Sequence, residues 1–236
     1  MRVWDVAAGY LSRQSLLGEH RELHGLYSIL IHQKLGYSRH PETIRWVGCA
    51  NALVRRHDLL VAEMRLRGYL DRTPLVRDRG RRLRWPLSFV TDPVDQFRLL
   101  TVKYGGITAG RIPLPKTTQE LWAQHKYSVL ARDPDYYREL GRRIARCRGR
   151  TALAATADEL VAILRQTPPP GRLANAVEHM WGYVARHATA VERRAAHRSS
   201  SALFGATQAL ATRHAEPYLL ASTALSELAV YLRNKS

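Results

Sequence analysis

Between Leu16 and Leu30 the apolar residues recur at the spacing of one helix face. Leu16, Leu23, Leu26, Tyr27 and Leu30 stand three, four or seven apart, which the helical period brings to one side. Ser12 occupies an N-cap position, so the sequence predicts a helix over residues 12–34, ended by Gly36. On that helix Gln14, Gly18, Arg21, Glu22 and Gly25 share a second face. A glycine inside a helix costs roughly 1 kcal/mol relative to alanine. A face with no bulk, one arginine and one glutamate reads as the floor of a groove that a ligand approaches closely. The same residues would also suit plain helix packing at the glycines and a solvated Arg21–Glu22 pair.

The remaining pattern is helical too. A short piece is expected from Glu42 or Thr43 to Val47, and a helix over 50–68 carries Leu53, Leu60, Val61 and Met64 on one side. Residues 72–84 hold six arginines, including Arg79, Arg81 and Arg82; such a run is a solvated loop or one that tracks phosphates. The structure of 86–106 is left open by its mixture of apolar and turn residues, and 105–118 reads as a connection. Helices are then expected over 119–129, 135–147, 157–166, 173–188, 190–198, 200–214 and 218–232. The sequence therefore predicts an all-α protein with a domain over 1–118 and a second over 119–236.

Charge narrows the partners. The net charge is +17 at pH 7 and the isoelectric point is near 10.6, which favours a polyanion by counterion release and steering. No apolar run is long enough to span a bilayer and no signal-peptide pattern opens the chain. With two cysteines there is no framework of disulfides. The expectation is a cytoplasmic monomer that binds double-stranded DNA, without a membrane and without a cofactor. No metal is expected either, because His20/His24 and His32/His40 do not make a ligand signature along the chain.

Four stretches carry a resemblance: MRVWDV, SLLGEHRELHGLYSIL, GYSRHPETIRW and RRHDLLVAEMRLRGYLDRTPL. Together, over roughly residues 1–75, they resemble the pyrimidine dimer DNA glycosylases of the phage endonuclease V type. The resemblance implies a helical glycosylase core, here packed on the second helical domain. It also implies that the N-terminal α-amine is the nucleophile, here that of Met1, with Glu22 as acid–base partner. Arg2 and Arg21 become the phosphate-facing arginines. An α-amine has a reference pKa of about 7.7–8.0 against about 10.4 for lysine, so a chain terminus supplies a reactive amine without deep burial. Met1 precedes the large Arg2, so it is expected to be retained. A lysine or an activated water is the alternative nucleophile.

Two departures bear on the substrate. Ser15 stands where the phage enzyme has a histidine and Gly25 where it has an arginine, with Arg13 or His24 able to compensate. Both changes suggest a roomier pocket. The implied function is excision of a flipped pyrimidine, with abasic-site lyase activity. The substrate is either an ultraviolet dimer, in repair, or a bulky phage base such as glucosylated hydroxymethylcytosine, in antiviral defence. A non-catalytic DNA or RNA binder that kept the fold is the other reading. Further DNA contacts are expected from His20, Arg39 and His40, and from Arg138 and Arg142 at helical spacing; Trp46, Trp85, Tyr136 and Tyr137 are candidate wedges.

In the second half, HKYSVLARDPDYYRELGRRIA, GRLANAVEHMWGYVARH, EPYLL and YLRN resemble the YbgA-type domain of unknown function. That likeness implies a helical domain, in which His125 and His179 read as structural hydrogen-bonding groups.

Overall fold

Ser12 starts the first long helix as its N-cap, its hydroxyl accepting from the Ser15 backbone N–H at 3.2 Å. This helix, α1, spans Arg13–His32. Leu16, Leu23 and Leu26 are fully buried along it, each contributing about 1.5–3 kcal/mol by leaving water. It ends before Gly36. Gln33 takes the left-handed conformation (φ 50°), and the N–H groups of Gln33 and Lys34 both reach the Ile29 carbonyl. A carbonyl of the last turn, where a helix leaves its acceptors unpaired, is thereby satisfied, which offsets the strain of a non-glycine residue there.

The computed structural model describes residues 1–78, 80, 82–147 and 149–232, apart from the Arg150 side chain. Among the described residues there are helices, turns and loops, and no strand; the class is all-α. The chain divides into two compact units, Met1–Gly110 and Arg111–Ser236.

In the first unit α1 packs on α3 (Ala50–Leu66), with the short α2 (Pro41–Trp46) between them in sequence. Segment 86–106, left open by the sequence, contains a helix, α4 (Pro93–Lys103). Its signal was present: Asp92-Pro93 opens it, and Pro93, Gln96, Phe97 and Leu100 are its buried stripe. Past α4, Gly110 lies flat against the turn at Ala8–Tyr10. A Cβ there would stand 2.4 Å from the Tyr10 carbonyl oxygen and 2.8 Å from that of Gly9. Gly110→Ala is expected to destabilise this unit by about 1–3 kcal/mol through overpacking, seen as a lower urea midpoint.

The second unit comprises α5 (Thr118–Leu130), α6 (Pro134–Arg146), α7 (Arg150–Leu164), α8 (Pro170–Val184), α9 (Ala190–Ala196) and α10 (Ser200–Arg213). Helix α7 starts before the expected 157, because the alanine-rich stretch after Gly149 favours helix. The expected helix over 218–232 is instead three short pieces, α11 (Pro217–Leu220), α12 (Ala224–Glu227) and α13 (Ala229–Leu232). A tertiary bond breaks it: Thr223 donates both its N–H (2.8 Å) and its hydroxyl (3.0 Å) to the Gln124 carbonyl on α5. Beneath it Arg132, Ser128 and Glu227 form a buried polar cluster.

His125 is buried, and its Nδ1 meets the Leu121 carbonyl at 2.8 Å, a structural role as expected. His179 is exposed, so no buried bond is assigned to it. Burial pushes the His125 pKa down to about 4. The unfolded chain, with histidine near 6.5, then binds more protons between these values. Stability is expected to be complete above about pH 6.5 and to fall as pH drops toward 4. His125→Gln should flatten that decline, measured by urea unfolding at a series of pH values.

Candidate active site

Residues 1–7 run without a strand partner, yet their backbone is satisfied by side chains drawn from four helices. Glu42 on α2 accepts a backbone hydrogen bond from Val3. Glu19 on α1 accepts from the Trp4 N–H at 3.1 Å. Gln96 on α4 accepts from the Asp5 N–H at 2.8 Å and returns a bond to the Asp5 carboxylate at 2.9 Å. Arg56 on α3 donates to the Val6 carbonyl at 3.0 Å and grips Glu19 with two bonds of 2.7 and 2.8 Å. Arg45 donates to Asp5 at 2.6 Å. Burial raises the Glu19 carboxyl above its ordinary range, and the Arg56 guanidinium opposes that. A buried backbone demands partners, and here those partners fix where the chain start lies.

That anchoring brings the α-amine of Met1 to 4.0 Å from Glu22 Oε1. Both open on a cavity of about 470 Å³ lined by Met1, Arg2 and Trp4, by Gln14, Ser15, Gly18, Glu19 and Glu22 of α1, and by Leu99 and Lys103 of α4. Glu22 keeps 42% of its side chain exposed. Arg2 lies over the Trp4 ring (5.1 Å) and bonds Thr91 at 3.4 Å.

The predicted α1 face divides in two. Gln14, Gly18 and Glu22, four residues apart, line the cavity; Arg21 and Gly25 are exposed and do not. One residue turns a helix by about 100°, which carries Arg21 onto the next stripe. The roomier pocket expected from Ser15 and Gly25 therefore rests on Ser15, with open space above Gly18 besides.

The other expected DNA-contacting residues are dispersed. Arg13 is exposed, its guanidinium 5.8 Å from the Tyr69 ring. His40 caps α2, its Nδ1 accepting from the Glu42 N–H at 3.2 Å. With the exposed Arg39 it lines a separate surface cavity beside Leu35 and Tyr37. Arg82 is exposed, and Arg79 and Arg81 lie outside the described residues. Arg138 and Arg142 are exposed on α6 of the second unit, Arg138 paired with Asp135.

Of the candidate wedges, Trp46 is 1% exposed and belongs to the core, with Trp85 6.1 Å from it. Tyr136 bonds Glu159 at 2.6 Å, and Tyr137 packs on Trp122. Among the large apolar side chains in the open are Leu35 and Tyr37, 90% and 73% exposed, which the sequence did not distinguish from core residues.

His20 and His24 meet each other and two residues that spacing did not connect to them, His57 and Asp71. Burial, and then the neighbouring His20, push His57 down to about 4 and also lower His24. Although burial alone would raise Asp71, the Thr73 N–H and the histidines hold it below its ordinary value.

Two known families match parts of the chain. Residues 1–76 match the pyrimidine dimer DNA glycosylase family. Residues 126–227 match a protein family of unknown function, DUF1722. Both resemblances read from the sequence are borne out, and the first supports a DNA glycosylase role. The glycosylase match includes Met1 and Glu22 but stops short of α4, which supplies Leu99 and Lys103 to the cavity. No curated protein and no solved structure matches the chain. No helix among the described residues is long and apolar enough to cross a membrane.

Proposed function

We propose that the first unit is a DNA glycosylase that removes a damaged or modified pyrimidine through the Met1 α-amine, with Glu22 as its acid–base partner. The supporting observation is the convergence of this amine and this carboxylate, 4.0 Å apart, on an open cavity. At that distance the amine is not locked in a hydrogen bond to Glu22, so its lone pair can meet a sugar carbon. A cavity of about 470 Å³ is also in the range that takes a small molecule, here one flipped nucleotide.

The chemistry follows from those two groups. The amine lone pair attacks C1′ of the sugar, and the base departs with the electrons of the glycosidic bond and takes up a proton. The nitrogen loses a proton, the sugar ring opens, and an imine joins Met1 to C1′. Glu22 stabilises the cationic sugar and relays these protons. From the imine, removal of a C2′ proton expels the 3′ phosphate, which is the lyase step. Arg2 and Lys103 at the cavity rim supply positive charge for the flanking phosphates, and the exposed Tyr37 beside Arg39 is suited to lean on an unstacked base.

Ser15 and Gly18 keep the cavity wall low, which favours a bulky base. The test is base release from duplexes bearing a thymine dimer, glucosylated hydroxymethylcytosine or unmodified cytosine. Release of the glucosylated base with little action on the dimer supports defence against phage DNA; the reverse supports repair. No release from any duplex, with binding intact, supports a non-catalytic DNA-binding protein instead.

A further inference from the structure

We propose that His20, His24, His57 and Asp71 bind one divalent transition-metal ion, zinc by preference. The four residues offer ligand atoms that all lie within 4.8 Å of one another. Two of the separations are short: His20 Nε2 is 3.1 Å from His57 Nε2 and 3.3 Å from Asp71 Oδ1. Ligands held at 2.0–2.1 Å around a tetrahedral zinc stand about 3.3 Å apart. The three rings are mutually close, with centroids 4.8–5.0 Å apart, and the proposal requires the fourth ligand, now within 4.8 Å of the others, to swing inward about its side-chain bonds.

Protons alone serve this arrangement poorly. His20 Nε2 faces a second ring nitrogen and a carboxylate oxygen at once, and one proton on it can satisfy both only through a bent, divided bond. A cation between the three atoms accepts a lone pair from each. Three imidazoles and one carboxylate are a borderline donor set, which suits zinc and the neighbouring late first-row ions rather than calcium or magnesium. His57 Nδ1 is buried and has no hydrogen-bond partner among the described residues. That bond commonly fixes a metal-bound ring, so the affinity is expected below that of a fully braced structural zinc centre.

The site is separate from the cavity. His20 is two residues from Glu22, which places it roughly 200° around α1. Its work is to fasten a loop. Asp71 lies on the segment that leaves α3, and Thr73 of that segment meets His24 Nε2 at 3.2 Å. Beyond it, the Val76 carbonyl accepts from Tyr27 at 2.8 Å and Asp78 exchanges two bonds with Asn51. A metal at Asp71 would clamp the start of this basic segment, which carries Arg72 and Arg77, to α1 and α3.

The test uses the full chain stripped by a chelator and titrated with ZnCl2 against a chromophoric competitor, and separately with CoCl2. One equivalent of zinc is expected to bind, with the intense visible absorption of four-coordinate cobalt and slower tryptic cleavage after Arg72 and Arg77. Asp71→Asn and His57→Ala should each weaken binding at least about tenfold, whereas Glu22→Gln should not change it. Asp71→Asn preserves shape, so it decides the matter where His57→Ala does not fold. Absence of stoichiometric binding, a weak six-coordinate cobalt spectrum, or unchanged affinity in Asp71→Asn overturns the proposal. Base-release activity takes no part in these readouts, so the glycosylase reading and the metal site stand or fall separately.

Discussion

Replacing Glu22 with glutamine is expected to slow base release by about 10²–10⁴-fold under single-turnover conditions, the usual worth of a positioned acid–base group. Affinity for duplex DNA should be unchanged. The side chain is 42% exposed and its ion pair is with the Met1 amine, so the fold should persist. Glutamine keeps the shape but can neither accept a proton nor balance a cationic sugar. A pure DNA binder would show no difference between the two proteins in any assay. If Glu22→Gln released base at the parent rate, the acid–base assignment would be wrong even with the amine correctly identified.

The second large effect concerns stability. Arg56→Met is expected to cost about 3–5 kcal/mol, because it leaves Glu19 as an uncompensated buried charge. Glu19 is 2% exposed and Arg56 4% exposed. Arg56 also holds the Val6 carbonyl, so the same change loosens the chain start that carries the Met1 amine. Urea unfolding should show the loss directly. In Glu19→Leu with Arg56→Met the buried charge is gone, and much of the loss should return. Recovery should be incomplete, since the Trp4 N–H then lacks its acceptor. Equal stability of Arg56→Met and the parent would contradict this account of the chain start.

Periodicity made α1 and α3 legible, through Leu16, Leu23 and Leu26 and through Leu53, Leu60, Val61 and Met64, and Ser12 and Asp133-Pro134 marked the starts of α1 and α6. What escaped was fixed by partners distant in sequence. Helix α4 carries its stripe over only 11 residues amid turn residues. The last helical stretch is cut at Thr223 by a carbonyl 99 residues away. At the site, the resemblance pointed to Met1 and Glu22, and no local pattern could reveal Glu19, Arg56 and Gln96, whose roles are long-range side-chain bonds to residues 4–6. Lys103 reached the cavity only through the α4 fold. Likewise the spacing of His20 and His24 suggested no ligand set, because His57 and Asp71 arrive from α3 and the segment after it.

The proposed reaction depends on the Met1 amine forming the bond to the sugar. The decisive measurement is borohydride trapping of untagged protein on a duplex carrying an abasic site, followed by peptide mapping. A covalent adduct is expected on the peptide that begins with Met1, retained in Lys103→Ala and lost when residues are added ahead of Met1. An adduct on Lys103, or base release from a modified duplex with no adduct at all, would contradict it.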